Sequence, residues 1–241
     1  MCKKSGYGRL LALLMTVCLA LGLLAGCSVA AAEEDDEVEV INVSSGTIVE
    51  KSLEDLMLQA GLVAEGTIVD ISDGFYIQHA IGSTKEIYTD YTLRVDTVYR
   101  GEPYAKKVTV RCEGGTVGKE KLIAEQSPDF EKGESYLLFL YQPNRGGSYN
   151  TEGDYYYVAG LIQGAFSRSS GGFYSQDYTF VTLEEFEKEL EKLADQPVNE
   201  NYSRDTFIRN QKSNLESGFM SQEEYDAAMD SLDQYATILK S

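Results

Sequence analysis

The chain holds one histidine, His79, and four cysteines, Cys2, Cys18, Cys27 and Cys112. These five side chains bound the chemistry available to it. One imidazole and few thiols cannot furnish a Ser-His-Asp triad alongside a zinc site. No Gly-x-Ser-x-Gly elbow, Ser-x-x-Lys pair, phosphate loop or Cys-x-x-Cys pair occurs in the sequence. His79, in Tyr76-Ile77-Gln78-His79-Ala80-Ile81, reads as a strand or loop residue without a role. Aspartate and glutamate number 39 in 241 residues. A carboxylate pair of the glycosidase kind therefore stays open, but such abundance singles out no pair. The expectation is a protein that is not an enzyme, with no catalytic residue, metal or cofactor. Binding chemistry rests on 17 tyrosines, with no tryptophan. Tyr155-Tyr156-Tyr157, with Tyr149, Tyr174 and Tyr178, fits cross-strand aromatic pairing in a β-protein. The alternative is a surface for sugar or peptide, centred on the loops around Gly146-Gly147 and Gly171-Gly172.

Cys27 stands in a different context. Lys3, Lys4 and Arg9 precede an apolar run from Leu10 to Leu24, closed by Ala25-Gly26-Cys27. A basic flank, a short apolar core and small residues at its end form an export signal, and the core is too short to span a bilayer comfortably. Leu24-Ala25-Gly26-Cys27 resembles the lipobox of bacterial lipoproteins. The resemblance implies a diacylglyceryl group on the Cys27 sulfur, cleavage before Cys27 and acylation of the new amino terminus. Two or more acyl chains hold a protein on a bilayer stably, at about 0.8 kcal/mol per buried methylene. Residues 1–26 would then be the signal peptide, and the protein a resident of the cell membrane's extracytoplasmic face.

Charge narrows the partners. The full chain carries 21 Lys and Arg against the 39 acidic residues, a formal charge of −18. Residues 1–26 contain three basic residues and no acidic one, so the remainder carries −21. Such a surface repels phosphate backbones, which argues against nucleic acid as a partner. With Cys2 and Cys18 removed and Cys27 acylated, Cys112 is alone and no intramolecular disulfide forms. Its place in Val108-Thr109-Val110-Arg111-Cys112, on one face with Val108 and Val110, predicts a buried, inert strand thiol.

The elements follow from periodicity and punctuation. Glu33-Glu34-Asp35-Asp36-Glu37 self-repels and predicts a flexible acidic tether, 27–50. Ser52 is a cap for a helix with Leu53, Leu56, Met57 and Ala60 on one face, ended by Gly61. Strands are predicted at 62–71, 87–99 and 107–112, with a long loop from Gly114-Gly115 to Phe130. The run Glu134 to Gln142 is apolar on both faces and predicts the most buried strand. Short strands follow at 155–159 and 163–166. Thr182-Leu183-Glu184-Glu185 is a capping box opening a helix with Leu183, Phe186, Leu190 and Leu193 on one face, and Pro197 lies past its end. A helical hairpin comes next: Phe207, Ile208, Gln211 and Leu215 line one side of its first helix. Gly218 supplies a left-handed stop, and Ser221-Gln222-Glu223-Glu224 caps the second helix, with Tyr225, Ala228, Met229 and Leu232 as its stripe.

Two further resemblances rest on ordered motifs. Leu62-Val63-Ala64-Glu65-Gly66-Thr67-Ile68-Val69, Tyr91 to Gly101, Val108-Thr109-Val110, Lys132 to Leu140 and Gln163-Gly164-Ala165-Phe166 look like a family of secreted bacterial proteins with a netrin-like, OB-type barrel. That barrel is shared in outline with tissue inhibitors of metalloproteinases. The resemblance implies a five-stranded barrel. It does not imply protease inhibition: those inhibitors present a free N-terminal cysteine and are disulfide-rich, and neither feature carries over. Leu215-Glu216-Ser217-Gly218-Phe219-Met220-Ser221-Gln222-Glu223-Glu224-Tyr225 resembles the short C-terminal module abbreviated SHOCT, which implies self-association.

The resulting expectation is an α+β, mainly β fold. It has a leading helix, an OB-like barrel and a following helix over 51–196, then a SHOCT-like helical hairpin over 197–241. The function expected is a membrane-anchored, non-enzymatic binding or assembly module. Its partners are the lipid bilayer, through acyl chains on Cys27, and a second copy or another protein, through the hairpin. A carboxylate-dependent envelope hydrolase, or an inhibitor of a protease or lytic enzyme, is the alternative.

Overall fold

Ser52 opens the first helix with a reciprocal pair of hydrogen bonds. Its Oγ accepts from the Asp55 N–H at 3.1 Å, and the Asp55 carboxylate accepts from the Ser52 N–H at 3.2 Å. The computed structural model describes residues 39–43, 48–78, 85–143, 151–199, 202–234 and 237–239. Cys27, the signal peptide, most of the tether, His79, Gly146, Gly147 and Tyr149 lie outside them. All described residues belong to one unit, Val38–Ser241.

In chain order the elements are β1 (Glu39–Val43), α1 (Leu53–Gln59), β2 (Leu62–Ile71), β3 (Phe75–Gln78), β4 (Lys85–Arg100), β5 (Lys107–Glu113), β6 (Gly115–Val117), β7 (Glu120–Ala124) and β8 (Ser135–Tyr141). Then come β9 (Tyr157–Val158), a 3₁₀ turn (Leu161–Gly164), β10 (Ala165–Ser169), β11 (Gly172–Ser175), β12 (Phe180–Thr182) and α2 (Leu183–Lys192). The last elements are α3 (Tyr202–Glu216), α4 (Gln222–Asp230), a 3₁₀ turn (Ser231–Asp233) and β13 (Thr237–Leu239). The fold is α+β and mainly strand.

The large sheet runs β12-β11-β10-β8-β2-β4-β3-β13, with β5 also on β4 and β9 also on β8. All of these ladders are antiparallel. They leave the sheet open. At one point β5 meets the residue before β9, in an isolated parallel bridge between Val110 and Tyr156. There the Tyr156 N–H donates to the Thr109 carbonyl and the Arg111 N–H to the Tyr156 carbonyl, each at 2.8 Å. A second, small sheet joins β1 to β7 in parallel and β7 to β6.

The double-sided burial of β8 explains its lack of alternation. Tyr136, Leu138 and Leu140 face one core with Leu62, Ala64, Ile68, Leu93, Val108, Val110 and Cys112. Leu137 and Phe139 face the other, with Val63, Phe166 and Phe173 of the sheet, Leu56 and Met57 of α1, and Phe186 of α2. The chain thus needs helices on one face only, and α1 and α2 supply them. Where β2 crosses β4 the register shifts between Glu65 and Gly66. A side chain at Gly66 would place its Cβ 2.3 Å from the Arg94 carbonyl oxygen, so only glycine allows this approach.

Several expectations change. Gly61 does not stop α1: Ala60 turns extended and leads straight into β2. The region expected as a loop to Phe130 contains the β6–β7 hairpin, and residues 39–43 of the expected tether form β1. Residues 163–166 split between a 3₁₀ turn and β10. Leu183 is 41% exposed, while Phe186 and Leu193 bury. Strand β13 matches no predicted element; it pairs with β3, so the polypeptide returns to the large sheet after the helical hairpin.

Candidate functional site

The helical hairpin is assembled almost entirely from local rules. Gly218 takes φ +73°, its N–H donates to Leu215, and the Phe219 N–H donates to Asn214. These two bonds form a Schellman stop at the end of α3. Ser221 then caps α4: its Oγ accepts from the Glu224 N–H at 3.2 Å and the Glu224 carboxylate accepts from the Ser221 N–H at 2.8 Å. The Ser221 N–H and hydroxyl, both donating to that carboxylate at 2.8 Å, hold the Glu224 carboxyl below its usual pKa.

The hairpin buries Leu232, which lies in the 3₁₀ turn past α4 rather than on that helix, but not the apolar residues of α3, α4 and the turn between them. Phe207, Ile208, Leu215, Met220, Tyr225 and Met229 are only half-buried. A Schellman stop is commonly accompanied by a contact between its second outside residue and the helix's last turn. Here the facing residue is Asn214, and Phe219 stands 86% exposed. Charge is also divided: α3 carries Arg204, Arg209 and Lys212 against Asp205 and Glu216, whereas α4 carries Glu223, Glu224, Asp226 and Asp230 with no basic residue.

The tyrosine-rich segment is interior. Tyr155 and Tyr156 are buried, and Tyr157 pairs across the ladder with Tyr141. The Tyr155 and Tyr157 rings meet edge to face at 5.3 Å. Burial pushes the Tyr157 hydroxyl far above its usual pKa and raises Tyr141 to about 12. Tyr174 pairs with Phe180 across β11 and β12, their rings 4.6 Å apart, and Tyr178 is exposed at the turn between those strands. Gly171-Gly172 lies at the tip of the β10–β11 hairpin, where Gly172 pairs with Ser169.

Sequence reasoning passed over Arg111, which organises this interior. Its side chain is 6% exposed. Nε and Nη2 each donate to a different Asp90 carboxylate oxygen at 2.7 Å, Nη1 donates to Thr151, and the guanidinium stacks on Tyr155 at 4.2 Å. Burial opposes the charge, but the Asp90 carboxylate more than offsets it and lifts the guanidinium above its ordinary value. Next to it, Cys112 is fully enclosed, and burial drives its thiol far above the usual value, so no nucleophilic thiolate forms there. Beside the helix-covered core, Glu65 receives Arg168 Nε at 2.8 Å and the Tyr99 hydroxyl at 3.0 Å, and the Arg168 hydrogen bond keeps its carboxyl below the usual range. Among the described residues no group of His, Cys, Asp and Glu is arranged to hold a metal ion, and no helix is long and apolar enough to cross a membrane. No protein-family model, characterised protein or solved structure matches this chain.

Proposed function

We propose that the chain is a lipid-anchored extracytoplasmic lipoprotein that acts as a non-enzymatic assembly module, pairing with a second copy through its SHOCT-like hairpin. The observation that carries this reading is the exposed Phe219 on a hairpin where Phe207, Ile208, Leu215, Met220, Tyr225 and Met229 are only half-buried. An exposed aromatic flanked by half-covered aliphatic residues marks a surface built to be covered. The unequal charges of α3 and α4 suit an isologous pair in which each α3 lies against the partner's α4. Anchoring both copies on one membrane through Cys27 raises their effective concentration, so a modest interface suffices. The OB-type barrel belongs to the same proposal. The order β2-β4-β5 on one side and β2-β8-β9 on the other, joined by the Val110–Tyr156 bridge, supports a five-stranded closure around the first core.

Phe219→Asp is expected to weaken self-association of the purified chain by at least about tenfold, read by sedimentation. The helix stop stays intact, because it is made by the backbone. A wild-type chain that sediments as a monomer, or a variant indistinguishable from it, would overturn the pairing. For the anchor, Cys27→Ser is expected to shift the protein from the detergent phase to the aqueous phase on detergent phase separation. A wild-type chain already in the aqueous phase would refute lipidation.

A further inference from the structure

Phe173 and Val181 turn toward α2 and its core, while Tyr174 and Phe180 stand on the opposite face of β11 and β12, 46% and 39% exposed. The two are directly opposed across the ladder, their rings 4.6 Å apart and inclined at 41°. Phe180 reaches diagonally over Gly172, where an added Cβ would sit 2.9 Å from its Cζ. The ring therefore lies along the sheet rather than standing away from it. Ser167 and Ser169 of β10 share this face and are exposed, Ser167 opposite Tyr174 and Ser169 opposite Gly172. The tip of the β11–β12 hairpin carries a second anomaly. The Tyr178 N–H donates to the Ser175 carbonyl at 3.0 Å and the Ser175 N–H to the Thr179 carbonyl at 2.9 Å, so Gln176, Asp177 and Tyr178 form a three-residue loop. The third residue of such a loop is left-handed, a conformation that glycine adopts without cost. Here it is Tyr178, at φ +68° and 89% exposed. A ring so open stabilises little in the fold, and backbone strain held to display it points to a ligand.

We infer that this aromatic ledge, Tyr174, Tyr178 and Phe180, binds a neutral oligosaccharide of β-linked pyranose rings. A pyranose with equatorial hydroxyls offers a flat face of axial C–H bonds that stacks on an aromatic ring, and its hydroxyls meet side chains such as Ser167 and Ser169. Charge, size and shape select this occupant. Residues 167–182 hold only two charged side chains, in a chain that is 25% charged. Both are already engaged, Arg168 by Glu65 and Asp177 by Ser175 and Thr179. A neutral surface on a molecule of formal charge −18 favours an uncharged ligand over an anionic polymer. The three rings together expose about 350 Å². That is less than half of the roughly 800 Å² per side that a stable protein interface needs, a second copy included. A peptide side chain anchors in a recess, and rings this open provide none. Phe219 is no part of this surface, so hairpin pairing and sugar binding succeed or fail separately.

Calorimetric titration of the full chain tests this with cellotetraose, the N-acetylglucosamine tetramer, and C6-oxidised cellotetraose, which bears a carboxylate on each ring. At least one of the two neutral tetramers is expected to bind with a Kd of about 1 mM or tighter, and which of them does so tells a plain glucan from an N-acetylated one. The oxidised tetramer is expected to bind at least about tenfold more weakly than that neutral ligand. Tyr174→Ala is expected to weaken sugar binding by about tenfold or more. Tyr178→Gly is expected to weaken it at least about fivefold. It should nevertheless melt no earlier than the wild type, because glycine relieves the left-handed strain. A wild-type chain that binds neither neutral tetramer with such affinity, or that binds the oxidised one as well, would overturn the inference. So would undiminished binding by either variant. Self-association of the wild type that both variants lose, with no sugar bound, would give this face to a second copy and overturn it equally.

Discussion

Phe139→Ala is expected to cost about 3–5 kcal/mol of folding stability, a large part of what a domain of this kind possesses. The ring is completely enclosed at the centre of the helix-covered face. It lies 5.5 Å from the Phe166 ring on the neighbouring strand and 6.4 Å from Phe186 on α2. Those partners come from two elements that cannot move together to fill the space, so the cavity persists and adds its own penalty. Urea denaturation followed by far-ultraviolet circular dichroism checks the figure. The melting temperature should fall by about 6–20 °C for a chain of this size. Tyr178→Ala is the contrast: truncating an aromatic that is 89% exposed should leave the midpoint almost unmoved. A Phe139→Ala loss below about 1 kcal/mol would mean the two faces of β8 are not both sealed.

Asp90→Ala should be the second most damaging change, at about 3–5 kcal/mol, because it strands the buried charge of Arg111. The two partners are not equivalent. Arg111 is 6% exposed and Asp90 25% exposed. A carboxylate left alone at Asp90 can recruit water, whereas a guanidinium left alone under Tyr155 and Phe75 cannot. Arg111→Met is therefore expected to cost less than Asp90→Ala. The double variant Asp90→Ala with Arg111→Met should recover stability relative to Asp90→Ala alone, a positive coupling that a double-mutant cycle measures directly. Additive losses would show that the pair does not act as a unit.

How far the sequence foretold this architecture depends on the range of the signal. Thr182–Glu185 and Ser221–Glu224 announced their helices because a capping box is complete within four residues. The apolar run 136–140 announced a strand buried on both faces for the same reason: the pattern is contiguous. Strands β1, β6 and β13 gave no such signal. Each is five residues or fewer; β1 and β13 exist through distant partners, Glu39 pairing with Glu120 and Thr237 with Gln78, and β6 is a three-residue arm of the hairpin it makes with β7. The Gly171-Gly172 segment looked like a loop because two glycines mark a turn equally well in a hairpin tip. Arg111 and Arg100 both sit in strands as ordinary polar residues. That one is paired with an aspartate 21 positions earlier, and the other left with free donors beneath the end of α2, depends on which elements pack over them. No periodicity encodes that. Tyr157 and Tyr174 have aromatic cross-strand neighbours in Tyr141 and Phe180, and such neighbours depend on register, which the sequence leaves unspecified.

The pairing of β13 with β3 has a kinetic consequence. Residues 237–239 meet residues 76–78 across about 160 intervening positions. Contacts of such long span form late, since ordering the intervening chain must come first. Until they form, the free margin of β3 presents unpaired amides and carbonyls, the kind of rim on which nascent chains stick to one another. The closing three-residue ladder thus acts as a latch, and the interval before it engages is when this polypeptide is most in need of a chaperone.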